Sequence, residues 1–175
     1  SRGLGDVYKR QLMNNGKGIF MLDAVYADMD SLSYSPEFLA YPILDRINLS
    51  DPLFNYGVRI NTSLIQDMVC ATLNDRKSII PWLYFPLILP QTNHPIGKNL
   101  NAIKLEFATA MDSIRSPGVR KIPLLFTSPY SRRQSMPGRV SLATLYNEPD
   151  QSKFIDKSLI TAILLEGALP VSYTH

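Results

Sequence analysis

The chain has 175 residues, 45% hydrophobic and 19% charged, a balance that excludes a disordered segment and suffices for one folded core. Eighteen Lys and Arg against fifteen Asp and Glu give a formal net charge of +3, too small an excess for the basic footprint of a nucleic-acid interface. One cysteine, Cys70, rules out an intrachain disulfide framework, and no apolar run reaches the ~18–20 residues of a membrane span.

In chain order, residues 1–11, Ser1 to Gln11, resemble a translated sequencing-library adapter, and Val171 to His175 resemble its reverse complement, with Pro170 at the junction. Residues 1–11 and 170–175 are therefore read as non-native and 12–169 as the natural segment, a piece open at both ends. Setting aside Arg2, Asp6, Lys9 and Arg10 lowers the charge to about +1 and, with His175 also removed, leaves His94 as the one histidine.

Asn14 to Gly18 followed by Ile19-Phe20-Met21-Leu22-Asp23 reads as a helix exit into a buried strand, because Gly and Asn supply a left-handed cap and a short continuous apolar run suits a parallel strand covered on both faces. Asp23 then lies where that strand opens into a loop. Ala24 to Ser35 reads as a surface loop; Pro36 to Ile47 shows no clear period. Ser50-Asp51-Pro52 reads as a helix start with Ser50 as cap, ended by Gly57 and followed by a strand at Val58-Arg59-Ile60.

Ile79 to Leu89 is apolar and aromatic, but Pro81 and Pro86 each lack a backbone donor, so an edge or bulged strand in two pieces is expected. Asn93-His94-Pro95 reads as a turn. Alternation from Ile103 to Phe107 reads as a strand with one wet face, Lys121 to Thr127 as a short buried strand, and Leu159 to Leu165 as a strand closed by Glu166-Gly167. Short helices feeding strands favour an α/β fold with a mostly parallel sheet over a sandwich, and thirteen prolines argue against a helix bundle.

For chemistry, the acidic positions Asp23, Asp28 and Asp30 follow the first expected strand, and Asp23 is the best placed to face a crevice at a strand end. They lack the glycine and oxygen count of a calcium loop, so a solvated loop is their ordinary role. A single histidine makes no usual zinc site, and no Gly-x-Ser-x-Gly elbow is present for His94 to serve; its ordinary role is a turn residue beside Pro95. Cys70 in Val69-Cys70-Ala71 lacks the electropositive setting of a reactive thiol. Ser128, Tyr130, Ser131, Arg132 and Arg133 form a donor-rich loop suited to an anionic or carbohydrate ligand, with a solvated loop as the ordinary reading. The ligand-binding candidates are Asp23, His94, Ser128, Tyr130 and Arg132, with no catalytic residue, metal or cofactor assigned. No phosphate-cradling loop is present, so ATP hydrolysis would fall to another subunit.

Taken together, Asn14 to Asp23, Leu53 to Asn61 with Leu64-Ile-Gln-Asp67, Pro81 to Pro86, Asn93 to Ile96, Asn99-Leu100, Lys104 to Ala108, Leu125 to Ser131 and Leu164 to Gly167 resemble, in order and spacing, the gliding-motility-associated ABC transporter auxiliary proteins of the GldG type. The resemblance implies a Rossmann-like α/β domain facing the periplasm, anchored in the inner membrane by helices outside this chain. It also implies ABC permease and ATPase subunits as partners, with a carbohydrate or protein ligand and no nucleic acid. The reading is a non-enzymatic binding or scaffolding domain. The alternative is an amidotransferase-like or carbohydrate-acting α/β enzyme, which would require His94 as its base.

Overall fold

The computed structural model describes residues 16–47, 49–74 and 78–167. Strands carry the architecture. Two sheets contain β1 (Val25–Tyr26), β2 (Glu37–Pro42), β3 (Val58–Asp67), β4 (Cys70–Asn74), β5 (Ile79–Pro90), β6 (Ile103–Lys104), β7 (Thr109–Ser113), β8 (Val119–Phe126), β9 (Ser131–Ser135), β10 (Gly138–Ser141) and β11 (Ile160–Gly167). The helices are short: α1 (Met29–Tyr34), α2 (Leu44–Ile47) and α3 (Ser50–Asn55), with 3-10 turns at Leu142–Leu145 and Gln151–Lys153.

The larger sheet has eight strands in the order β4-β5-β8-β11-β7-β3-β9, with β6 attached to β5; the smaller has the order β1-β2-β10. Each strand pairing is antiparallel. This overturns the expected α/β, Rossmann-like domain with a mostly parallel sheet. Parallel neighbours need crossovers of a dozen or more residues, usually helical, and helices of six, four and six residues cannot supply them or cover a sheet face. The amidotransferase-like α/β alternative loses its scaffold by the same finding.

The apolar runs are buried for a different reason. The sheet curls so that β3 packs against β5, and consecutive residues Tyr84, Phe85 and Pro86 are all buried. Trp82, Tyr84, Phe85 and Phe107 form an aromatic centre with ring centroids 4.9–6.1 Å apart, joined by Leu64 from β3 and Val140 from β10. Most of these ring pairs meet edge to face, the arrangement that the aromatic quadrupole favours. Phe38 of β2 packs edge-on to Phe107 and ties the small sheet to this core.

Individual expectations fare differently. Strands stand at Val58, Val119 and Ile160 near the expected places. Gly57 closes α3 at φ 89°, where an added Cβ would lie 2.9 Å from the Ile114 carbonyl oxygen, so only glycine makes this exit without strain. The expected cap Ser50 is the first residue of α3; Leu49 precedes it with no side-chain cap bond. β5 is one unbroken strand between β4 and β8, with an irregularity on the β4 side between the positions facing Pro86 and Pro81.

Ile19 to Leu22, expected as a buried strand, carry no regular structure, and Ile19 and Met21 are each 89% exposed. The helix end expected at residues 14 and 15 lies outside the described residues. Ala24 to Ser35, expected as a surface loop, instead supplies β1, α1 and the core residues Val25 and Leu32.

Candidate functional site

β8 ends at Phe126 and β9 begins at Ser131, and the corner between them carries the buried polar residues Thr127, Ser128 and Ser131. Asp67, the last residue of β3, is fully buried there. Its carboxylate accepts the Ser128 N–H at 2.8 Å, the Ser128 hydroxyl at 2.5 Å and the Val69 N–H at 2.9 Å. Three donors on one carboxylate compensate the removal of its charge from water. The Ser128 Oγ also accepts the Tyr130 N–H at 3.0 Å, so this hydroxyl is fully committed inside the fold.

Beside it the buried Thr127 hydroxyl contacts the Ser131 hydroxyl at 2.9 Å and accepts the Leu159 N–H at 2.7 Å, while Ser131 donates to the Lys157 carbonyl. The corner is thereby stitched to the start of β11.

A second polar chain runs inward from Arg132. Its Nε–H donates to the Gln66 side-chain oxygen at 2.5 Å, and the Gln66 amide donates to Gln134 at 2.9 Å. The same Gln134 oxygen accepts the Tyr84 hydroxyl at 2.5 Å. The Arg132 guanidinium also lies over the buried Phe154 ring, 5.0 Å from its centroid. Burial pushes the Tyr84 phenol above its ordinary value, opposed by the hydrogen bonds to Gln66 and Gln134 and by the Arg132 charge.

The remaining sequence candidates lie elsewhere. Asp23 is exposed, one residue before the buried Ala24 that leads into β1. His94 sits in the turn after β5, where its carbonyl accepts the Gly97 and Lys98 N–H groups and its Nδ1 accepts the Ile96 N–H at 3.3 Å. Ser128, Tyr130 and Arg132 do share the β8–β9 corner, with Tyr130 63% exposed. Cys70 begins β4, its thiol pushed up to about 11 by burial and by the Asp67 charge. Among the described residues no three His, Cys, Asp or Glu side chains come together as metal ligands, and no helix is long and apolar enough to cross a membrane.

Comparison with known proteins places this geometry in context. The family model described as "ABC-type uncharacterized transport system", an ABC transport auxiliary domain, matches residues 7–175. The chain belongs to that family. Nothing among curated proteins or solved structures matches it.

The transport-system domain also carries features that no sequence pattern announced. A depression of about 120 Å³ lies between α2, α3 and β3, lined by Leu44, Ser50, Leu53, Arg59 and Ile60 among others. The Ser50 Oγ is buried there without a hydrogen-bond partner among the described residues. On β3 next to it, Arg59 and Asn61 both donate to Asp112 of β7, Arg59 through Nε at 3.1 Å and through Nη2 at 2.5 Å. Burial raises the Asp112 carboxyl, but the bonds from Arg59 and Asn61 and the charges of Arg59 and Arg133 outweigh it, leaving the group below the ordinary aspartate value.

The Asp67–Ser128 pairing was missed because its partners are 61 positions apart and neither belongs to a local motif. The one clue in the sequence is an acid directly after Leu64-Ile65-Gln66, where strand burial makes an unpaired charge costly.

Proposed function

We propose that this domain is a non-enzymatic binding or scaffolding part of an ABC transport complex linked to gliding motility. In this reading it faces the periplasm, is held at the inner membrane by segments outside this chain, and docks on the permease so that the ATPase cycle is coupled to a protein or carbohydrate cargo. The observation that carries the reading is the family match across residues 7–175. The state of the chemistry-bearing side chains supports it: Ser128 is committed to Asp67 and the Tyr130 amide, His94 caps its own turn, and Cys70 holds its proton far above neutrality.

The test is affinity purification of the full-length protein from membranes solubilised in mild detergent. Co-purification of a permease and an ATPase subunit is the expected result; recovery of the protein without either would contradict the assembly role.

A further inference from the structure

Arg132 stands apart from the other arginines on the strands of the two sheets. Arg59, Arg120, Arg133 and Arg139 each reach a carboxylate, Asp112, Glu166, Asp156 and Glu37 respectively. Arg132 reaches none among the described residues, although it is half-buried. Its Nε is fixed on Gln66, its plane lies over Phe154, and the Gln66–Gln134–Tyr84 chain behind it is electrically neutral. The Nη1 and Nη2 donors have no protein acceptor among the described residues, yet they are not sealed from solvent.

A guanidinium held at two points, by Gln66 and by the Phe154 ring, with its outer fork unfilled has already lost much of the rotamer freedom that binding an anion would otherwise cost. We propose that Arg132 is a ligand site of this domain and that its fork takes a single carboxylate group. Charge selects the ligand class. One positive charge among neutral amides and a phenol matches a monoanion, and the planar fork matches the two oxygens of a carboxylate. A phosphate dianion would leave excess negative charge against the buried Tyr84 and Gln66. Two sources present this chemistry, an acidic amino-acid side chain and a uronic acid, and both are compatible with the geometry. The inference concerns the ligand and does not depend on the assembly partners proposed above.

The experiment uses the whole chain at pH 7 and constant ionic strength. The Arg132 Nε–H resonance and the thermal midpoint are followed during titration with sodium acetate, sodium chloride and sodium phosphate, then with N-acetylglutamate amide and galacturonate. Acetate is expected to give a saturable shift that chloride does not give and that phosphate gives more weakly. Whichever of the last two compounds binds tighter identifies the source.

Arg132→Gln should abolish saturation. Arg132→Lys, which keeps the charge and the aliphatic stem but not the fork, should weaken acetate at least about tenfold. Because Arg132→Gln also removes the bond to Gln66, the lysine variant decides if the glutamine variant does not fold. Equal, linear responses to acetate and chloride in the wild type would overturn the proposal, as would acetate affinity unchanged in Arg132→Lys. Retained permease and ATPase co-purification alongside either result would leave the assembly role standing on its own evidence.

Discussion

Asp67 receives both the amide N–H and the hydroxyl of Ser128, so one buried carboxylate closes the end of β3 against the end of β8. β3 and β8 are not neighbours in the sheet; β11 and β7 lie between them. The bond therefore spans the curl of the sheet at one end. The same carboxylate accepts the Val69 N–H and so shapes the two-residue passage from β3 into β4.

Removing either partner has unequal consequences. Asp67→Ala leaves the buried Ser128 N–H and hydroxyl without an acceptor, along with the N–H of the exposed Val69; the two buried groups cost about 1–3 kcal/mol each, so a loss of about 4 kcal/mol is expected. Ser128→Ala deletes one charge-assisted bond and the acceptor of the Tyr130 N–H but keeps the Asp67 contact of its own amide, for a loss of about 2–3 kcal/mol. Urea unfolding of both variants checks the order. A serine variant less stable than the aspartate variant would contradict the view of Asp67 as the shared acceptor.

That pairing also marks where the sequence stops being informative. Local chemistry was readable: Gly57 ends α3, His94 and Pro95 turn the chain, and the strands near Val58, Lys121 and Leu159 stand where apolar pattern and turn residues put them. Strand direction was not readable, because a continuous apolar run fits a parallel strand under helices and an antiparallel strand inside a curled sheet equally well. Ile103 to Phe107 illustrates a smaller failure. The alternation is real, with Lys104 and Glu106 outward and Leu105 and Phe107 still donating their N–H groups to the Pro86 and Tyr84 carbonyls of β5, but the regular strand covers only Ile103–Lys104 and Phe107, at φ 51°, ends the run. Of the candidate site, the Ser128–Arg132 loop was visible from its donors. Its division into a structural Ser128 and an unfilled Arg132 depends on Asp67, Gln66 and Phe154, which only the fold brings there.

Cys70 should react slowly. Raising the thiol from 9.0 to about 11 lowers its thiolate fraction at pH 8 about 100-fold, while the more basic thiolate is intrinsically about 10-fold more nucleophilic. The native protein should therefore alkylate with iodoacetamide about 10-fold more slowly than the urea-unfolded chain. Native and unfolded rates that coincide would show that burial and Asp67 do not hold the proton.

Asp112 predicts an acid-side loss of stability. Its carboxyl titrates lower in the folded chain than in the unfolded one, so its contribution is fully present above the unfolded value near 4. It disappears as pH falls through the lower folded value. Asp112→Asn should be less stable than the wild type at pH 7 and should show a shallower decline below about pH 4. Arg59→Met should cost only about 0.5–1 kcal/mol at pH 7, since the Arg59 side chain is 58% exposed and well screened. Parallel stability–pH curves for wild type and Asp112→Asn would refute the coupling.

Trp82 offers the sharpest test of the core. Its ring is fully buried, meets Tyr84, Phe85 and Phe107 at 5.3, 4.9 and 5.7 Å, and donates Nε1–H to the Thr144 hydroxyl at 3.0 Å. Packing and hydrogen bonding can be separated by two variants. Trp82→Ala removes the ring and leaves a cavity, for a loss of about 3–5 kcal/mol. Thr144→Val keeps the volume but leaves the indole N–H unpaired, for about 1–3 kcal/mol. Because Trp82 is the sole tryptophan, its fluorescence reports the change in the second variant directly. A red-shifted native emission in the wild type would show that the indole is hydrated, which is incompatible with β5 lying inside a curled sheet.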